Sequence, residues 1–351
     1  MRIVRRLGLP LAAAILAWTP LPPAFVERVY ATSWYPRVQP VLTAASNAVA
    51  FAWLDPLALL TVGVVVATLI RTWRRAAGGV VRRSVGVVVL IAQVAAALYL
   101  VFLLAWGLNY RRLPPAERLA VSRERVTPER LERLGRASLV RVNELYERSR
   151  SLDRLGGEPL IADLAPAFAA AERALGSGWQ TAPGRPKHSL VARFFPLAGV
   201  DGMINPFGLE VILNPEVLPF ERPFVLAHEW AHLAGHAPES EASFVAFFTC
   251  LRGSRDAQYS GWLDLLLHAL RAVPLASRQA LLADLADGPR ADIRAIQTRL
   301  RRAQPVVHRV SWTLYDQYLR ANRIESGVRN YDEVVTLVLG SRFTEGVITQ
   351  D

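Results

Sequence analysis

The chain has 351 residues, a length typical of about two domains. Hydrophobic residues make up 52% of it, charged residues 20%, and the net charge is +11. This composition excludes a disordered chain, which would be poor in apolar residues and rich in charge. All but one of the 41 basic residues are arginine. No arginine stripe in the second half is interleaved with aromatic residues, so we expect no nucleic-acid binding.

Three apolar runs in the first 110 residues predict a membrane anchor over residues 1–107. The predicted transmembrane helices cover about 7–26, 56–73 and 85–106. A bilayer core requires about 20 apolar residues in a helix. The third run meets this length easily, and the second is slightly short but has a tryptophan at each end.

The first run has two interpretations. Its basic start followed by apolar residues is also typical of a cleaved signal peptide. No small-x-small cleavage site follows the apolar stretch before Pro20, Pro22 and Pro23, which favours an uncleaved helix.

The charges of the loops predict an orientation. The N-terminus and the loop between the second and third runs are rich in arginine, whereas the loop between the first and second runs is nearly neutral. Cytoplasmic loops of membrane proteins carry the excess of basic residues. We therefore expect a bacterial inner-membrane protein with a cytoplasmic N-terminus and with residues 108–351 outside the cytoplasm.

The sequence pattern of residues 108–351 predicts a mainly α-helical domain with a small β-element. A helix begins at Thr127-Pro128-Glu129, and residues 176–187 predict a loop. Two apolar segments, 190–195 and 209–213, predict strands separated by the turn-rich stretch 199–208. Further helices are predicted near 164–175 and over 223–234, 239–251, 261–272, 277–286, 291–302, 311–321 and 331–339. The single cysteine, Cys250, falls on an apolar helix and is expected in the core.

The segment from His228 to His232 is an HExxH motif on an apolar helix. Residues four apart lie on one helix face, so both imidazoles can reach one metal ion. Glu229 points into the same cleft, where it can take a proton from a metal-activated water. The motif predicts a Zn²⁺ site with His228 and His232 as ligands and Glu229 as the catalytic base. The alternative is an ordinary helix with structural histidines.

A catalytic zinc site needs a third protein ligand and one open position. Pro238 stands where a metzincin would have a third histidine, which excludes that class. Glu241 lies on an apolar stripe, where a carboxylate must be neutralised, and a metal ion would do that. With the two histidines it gives the gluzincin arrangement. Glu239 and His236 are alternative ligands.

Further candidates lie outside the motif. Tyr315, Tyr318 and His308 are possible donors to an oxyanion, and Asp316 is a possible partner for a metal-ligating histidine. The strand predicted at 209–213 is a candidate edge strand that would pair with a substrate backbone beside the cleft.

Several segments along nearly the whole chain also carry a resemblance to a known family. They are residues 106–110, 201–210, 228–235, 239–244 and 315–322, followed by Gly327 and Tyr331. They resemble the bacterial membrane family called domain of unknown function 3810, whose members look like three-span proteins with an HExxH domain. The family pattern resembles Glu-x-Glu-Ala-Asn-Phe and implies Glu241 as a ligand, with Ser243 in place of the asparagine.

The arrangement of this family is similar to that of membrane-anchored gluzincin peptidases. The resemblance implies a zincin-like fold and a zinc-dependent metallopeptidase that hydrolyses peptide bonds with a metal-activated water. Its partners would be a peptide or protein substrate and the lipid bilayer. The alternative is a non-catalytic membrane scaffold or sensor with a structural zinc site, and hydrolysis of a cell-wall amide is a third possibility.

Overall fold

The computed structural model describes residues 2–75, 79–148, 157–322 and 333–344. The prediction of a mainly helical protein with a small β-element is confirmed. The elements of the first third are α1 (Arg2–Trp18), α2 (Pro23–Val26), a π-helical segment (Glu27–Trp34), α3 (Tyr35–Asn47), α4 (Leu54–Arg75) and α5 (Val80–Ala105). Gly327 and Tyr331, which contribute to the family resemblance, lie outside the described residues.

The rest of the chain alternates helices with short turns around one antiparallel hairpin. Its elements are α6 (Pro115–Arg118), α7 (Pro128–Arg148), α8 (Glu158–Ala174), α9 (Phe195–Ala198), β1 (Gly202–Asn205), β2 (Glu210–Leu213), α10 (Arg222–Leu233), α11 (Glu239–Cys250), α12 (Arg255–Ala272), α13 (Leu275–Ala283), α14 (Asp287–Leu300), α15 (Pro305–Ala321) and α16 (Val334–Gly340). Short 3₁₀ turns are found at Gly107–Arg111, Arg123–Arg125, Val191–Phe194 and Arg342–Thr344.

One of the two predicted strands is wrong. Residues 190–195 form the 3₁₀ turn Val191–Phe194 and the first residue of α9 instead of a strand. Pro196 lacks the amide that a ladder requires, and Phe195 packs on Ile212 in a small apolar cluster. The strand β1 lies in the stretch that was expected to be a turn.

Within the residues that the structure describes, two helices are long and apolar enough to cross a membrane. They are Leu54–Arg71 within α4 and Arg83–Ala105 within α5, close to the predicted spans 56–73 and 85–106. The predicted span 7–26 is not one continuous helix, because α1 ends at Trp18 and the chain resumes at Pro23, bent by 114°. Prolines lack amide donors and end helices, which explains the break. If this bent pair counts as one span, the number of spans is three.

Residues 23–53, which were predicted to belong to the anchor, pack against the helical domain. The hydroxyl of Thr43 in α3 donates to the carbonyl of Leu209 at 2.9 Å. The buried Lys187 donates to carbonyls at the end of α3, including that of Ser46, where a cation complements the helix dipole. The boundary predicted at residue 107 therefore separates segments that are in direct contact.

The centre of the domain is the pair α10 and α11, which lie side by side with α8, α12 and α16 around them. Trp230 of α10 is fully buried and donates its indole N–H to the carbonyl of Gly184 at 2.8 Å. Phe244 and Phe247 of α11 are buried in the same core, as is Cys250, which confirms the prediction for the cysteine. The helix that carries the motif is thus held on one side by close packing.

Candidate metal centre

The end of α10 is fixed by local sequence. Gly235 has φ +85°, and the amides of Gly235 and His236 bond back to the carbonyls of His232 and Ala231, both at 3.0 Å. This is the Schellman arrangement, which ends a helix at a residue with positive φ. A Cβ atom at position 235 would lie 2.7 Å from Oδ1 of Asn109. Glycine is therefore required at this position both by the backbone conformation and by the close approach of a neighbour.

Carbonyls at the end of α10 accept further hydrogen bonds from side chains close to the membrane helices. The bonds are Tyr35 Oη to Leu233 O (2.7 Å), Trp106 Nε1 to His232 O (2.8 Å) and Arg112 Nη1 to Gly235 O (3.1 Å). The last carbonyls of a helix have no partner within it, so such donors stabilise its end. The membrane-proximal segments thereby hold the motif helix in position.

Three side-chain atoms converge at the motif. Nε2 of His228 lies 3.1 Å from Nε2 of His232 and 3.0 Å from Oε2 of Glu239, and His232 Nε2 lies 3.4 Å from the same oxygen. Ligands at roughly 2.0–2.1 Å from a tetrahedral zinc ion are about 3.3 Å apart. The three atoms therefore have the spacing that one such ion requires. Within the described residues, this is the one group of three that could hold a metal ion.

Each member of this cluster is oriented by a further contact. Nδ1 of His228 lies 3.2 Å from Oγ of Ser243, and Nδ1 of His232 lies 2.8 Å from the carbonyl oxygen of His236. The hydroxyl of Tyr315 donates to Oε1 of Glu239. Metal-binding histidines commonly engage their second ring nitrogen in this way. The remaining atoms, the two Nε2 and Oε2, consequently face one point.

We expect Ser243→Ala to weaken metal binding by roughly 10–100-fold, because the imidazole of His228 loses the contact that orients it. A chelator-competition titration of the purified full chain measures this change. Cys250→Ala on the same helix is the matched control, because Cys250 is buried in the core and is expected to leave metal affinity unchanged. Equal affinities for all three proteins would contradict the role of Ser243.

Glu229 lies beside the cluster and is almost fully buried. Its Oε2 has no hydrogen-bond partner among the described residues, and burial raises the pKa of its carboxyl to about 8. Gly202 of β1 lies against it, since a Cβ atom there would be 2.6 Å from Oε1. A buried oxygen without a partner is costly for the fold, and here it is available to a group that enters the cleft.

Glu241, which the sequence predicted as the third ligand, lies outside this cluster. Its buried carboxylate accepts a hydrogen bond from Arg118 Nη2 at 2.5 Å and lies 2.7 Å from Nδ1 of His236. Burial alone would raise its pKa, but the charges of Arg118 and His236 outweigh burial and lower that pKa to about 2. Residues two apart on a helix point about 200° apart, so Glu239 faces the histidines and Glu241 does not.

The structure therefore brings Glu239, and not the predicted Glu241, to His228 and His232, and His236 contributes its carbonyl to the orientation of His232. The carboxylate of Glu241 is neutralised, as the sequence argument required. The neutralising group is Arg118 instead of a metal ion.

We expect Arg118→Met to destabilise the protein by roughly 3–5 kcal/mol, because the buried carboxylate of Glu241 loses its main counter-charge. Unfolding of the detergent-solubilised chain, followed by tryptophan fluorescence, measures the loss. The control is Arg141→Met, which breaks an exposed pair with Glu144 and costs only about 0.2–1 kcal/mol. Similar losses in the two variants would show that the Arg118 pair has no special importance.

The other candidates from the sequence have different surroundings. Tyr315 contacts the cluster of His228, His232 and Glu239 through the carboxylate of Glu239. The ring of Tyr318 stacks on that of Tyr315 and contacts Tyr110, whereas His308 lies against Trp312 and Asp316 pairs with Arg320. Tyr315 is thus the candidate oxyanion donor that the fold brings to the cluster.

The predicted edge strand at 209–213 is not at an edge. β2 pairs with β1 on one side, and on the other side Lys187 N donates to the carbonyl of Val211 at 2.8 Å. In the described chain no strand pairs with the outer side of β1, which passes the carboxylate of Glu229 at Gly202. The edge that borders the candidate site therefore belongs to β1.

Comparison with known proteins identifies one family. A family model described as "Protein of unknown function (DUF3810)" matches residues 30–339, a range that includes the whole metal centre. No curated protein and no solved structure matches the chain.

Proposed function

The chain belongs to the DUF3810 family of proteins of unknown function, and we propose that it is a membrane-anchored zinc-dependent metallopeptidase. We place its N-terminus in the cytoplasm and its metal centre on the outer face of the bacterial inner membrane. The distribution of arginine in the loops supports this orientation, and the two apolar helices support the anchor.

One observation carries the proposal: three ligand atoms with the spacing of a zinc site lie next to a buried carboxylate oxygen that has no hydrogen-bond partner in the described part of the chain. His228, His232 and Glu239 would hold the ion. A bound Zn²⁺ polarises a carbonyl group and makes water a stronger acid. The chain supplies the groups that such chemistry requires around the ion.

The side chains around the ion have separate roles in catalysis. Glu229 takes a proton from the attacking water and delivers it to the amine that leaves. Tyr315 holds Glu239, and Ser243 holds His228, so the ligands keep their orientation during the reaction. The hydroxyl of Tyr315 has one proton, which it donates to Glu239, so it can serve an oxyanion in a complex with substrate only by giving up that bond.

The free edge of β1 supports a peptide as the substrate. Asn214 N donates to the carbonyl of Asp201 at 2.9 Å, so this pair is hydrogen-bonded, and the opposed pairs of an antiparallel ladder alternate. Gly202 and Ile204 consequently direct their backbone groups away from β2. An extended peptide can add to such an edge with its scissile bond next to Glu229.

The number of ligands argues for catalysis over a structural role. A structural zinc site is closed by four protein ligands, whereas a catalytic site has three and an open position. In the part of the chain that the structure describes, the cluster supplies three. This observation favours the peptidase over a non-catalytic scaffold with structural zinc.

The proposal is tested with the full-length chain in lipid nanodiscs, loaded with Zn²⁺ and incubated with a peptide library. Mass spectrometry identifies new peptide termini. We expect cleavage that disappears when the metal is removed with phenanthroline and returns when Zn²⁺ is added back. A zinc-loaded protein that cleaves no peptide would overturn the proposal and leave the structural role.

A further inference from the structure

Six large apolar side chains, each more than half exposed, lie on two segments of the helical domain and in the short connection between α3 and α4. They are Phe51, Leu190, Phe194, Val306, Val310 and Leu314. The last three follow an i, i+4, i+8 pattern on α15 and therefore form a stripe along one face of that helix. We call these six residues the apolar face.

The two segments of the domain are neighbours in space. The amide of Gln304, directly before α15, donates to the carbonyl of Leu197 in α9 at 3.0 Å. The ring of His308 approaches Gly199, at the end of α9, so closely that a Cβ atom there would lie 3.1 Å from it. The first half of α15 is thus seated on α9 and next to the turn that carries Phe194.

Both ends of the apolar face meet ends of the membrane helices. At one end, Asp55 in the first turn of α4 accepts hydrogen bonds from Ser189 Oγ (2.8 Å) and Leu190 N (2.9 Å). At the other end, the ring of Tyr318 in α15 lies 6.0 Å from that of Phe102 in the last turns of α5. Consecutive spans run in opposite directions, so the start of α4 and the end of α5 lie at the same membrane boundary. Helix α15, about 25 Å long, therefore has its first half next to the segment that contacts the start of α4 and its last turns next to the end of α5.

Two exposed tryptophans lie at the same membrane boundary. Trp34 is half-exposed, and its indole donates to the carbonyl of Leu104 near the end of α5 at 3.1 Å. Trp18, at the end of α1, is 86% exposed. Tryptophan is enriched at membrane–water interfaces. Arg193 and Arg309, exposed on the two segments of the apolar face, have the charge that anionic headgroups attract.

We propose that the apolar face is a bilayer-docking surface, so that α15 lies in the headgroup region of the membrane that α4 and α5 cross. An amphipathic helix of this kind buries its apolar side roughly 5–10 Å into the boundary between headgroups and acyl chains. Because Tyr315 on another side of α15 bonds to Glu239, docking brings the metal centre close to the lipid surface. The substrates of the peptidase, if that proposed function holds, are then segments near the membrane.

The test uses the full-length chain in nanodiscs of phosphatidylethanolamine and phosphatidylglycerol. The variants Val310→Cys, Leu314→Cys and Leu275→Cys are each labelled with nitrobenzoxadiazole. Leu275 is 65% exposed at the start of α13, which packs on α7 and α12, and is the matched control. The wild type is the labelling blank, because Cys250 is buried. Nitroxide lipids and aqueous iodide serve as quenchers.

We expect the labels at positions 310 and 314 to lose fluorescence with nitroxide lipids and to be shielded from iodide, with the opposite pattern at position 275. Nitroxides near the headgroup should quench more strongly than nitroxides near the acyl-chain end. Quenching by iodide equal to that at position 275 would overturn the proposal. Shielding from both quenchers would also overturn it, because the face would then be covered by protein, such as a second copy of the chain. Neither readout depends on metal or on hydrolysis.

Discussion

We expect Glu229→Gln to reduce the rate of peptide hydrolysis by roughly 10²–10⁴-fold and to leave the amount of bound zinc unchanged. The amide of glutamine has nearly the size of the carboxylate but cannot accept the proton of the attacking water. Glu229 is not a member of the ligand cluster, so metal binding does not require its charge. The loss should fall on the rate of the chemical step, with little change in the concentration of substrate needed for half-saturation.

The measurement is the cleavage rate of a peptide found with the nanodisc library, alongside the zinc content of each protein. Glu172→Gln is the control, since Glu172 is another buried carboxylate that bonds to Thr181, far from the motif in sequence. It should retain both zinc and activity. Turnover by Glu229→Gln at the rate of the wild type would rule out Glu229 as the proton acceptor.

The second large effect concerns the third ligand. Glu239→Ala removes one of three converging atoms and should lower zinc affinity by more than the roughly 10–100-fold that is typical for loss of an orienting partner. Glu241→Gln should retain the zinc, because the Glu241 carboxylate lies between Arg118 and His236. The two glutamates are two positions apart on one helix and both are buried, which makes them a matched pair.

Chelator competition gives the two affinities, and circular dichroism shows that each variant is folded at the temperature used. If Glu241→Gln lost the metal and Glu239→Ala retained it, the ligand set predicted from the sequence would be right and the one drawn from the structure would be wrong.

The motif helix was predictable because its determinants are local. The spacing of His228 and His232 places both on one helix face, and Gly235 ends the helix where the sequence suggested. The two long apolar runs predicted α4 and α5 because hydropathy over about 20 residues is also a local property.

The choice between Glu239 and Glu241 as the third ligand depended on a residue that is far away in the sequence. Nothing near Glu241 in the sequence indicates that Arg118, in the short helix α6, neutralises it. The available signal was Pro238, which fixes Glu239 as the first residue of α11 and so sets the register of both glutamates. Without knowledge of Arg118, the apolar stripe around Glu241 favoured Glu241 over Glu239, the carboxylate that the structure brings to the histidines.

Long-range packing also explains other features that the sequence did not predict. Residues 190–195 have a strand-like composition, but Phe195 packs on Ile212. The segment therefore forms a turn, which leads into α9. Residues 23–53 were assigned to the anchor because they lie between apolar runs. In the structure these residues pack against the helical domain, for example through the hydrogen bond from Tyr35 to the end of α10.

The central claim, that His228, His232 and Glu239 bind one divalent ion, is tested most directly by zinc-edge X-ray absorption on the purified full-length chain. We expect a first shell with two imidazole nitrogens and carboxylate and solvent oxygens at roughly 2.0–2.1 Å. The imidazole signal should weaken in His228→Ala. A protein that retains no zinc after reconstitution and dialysis, or a shell without imidazole, would contradict the account.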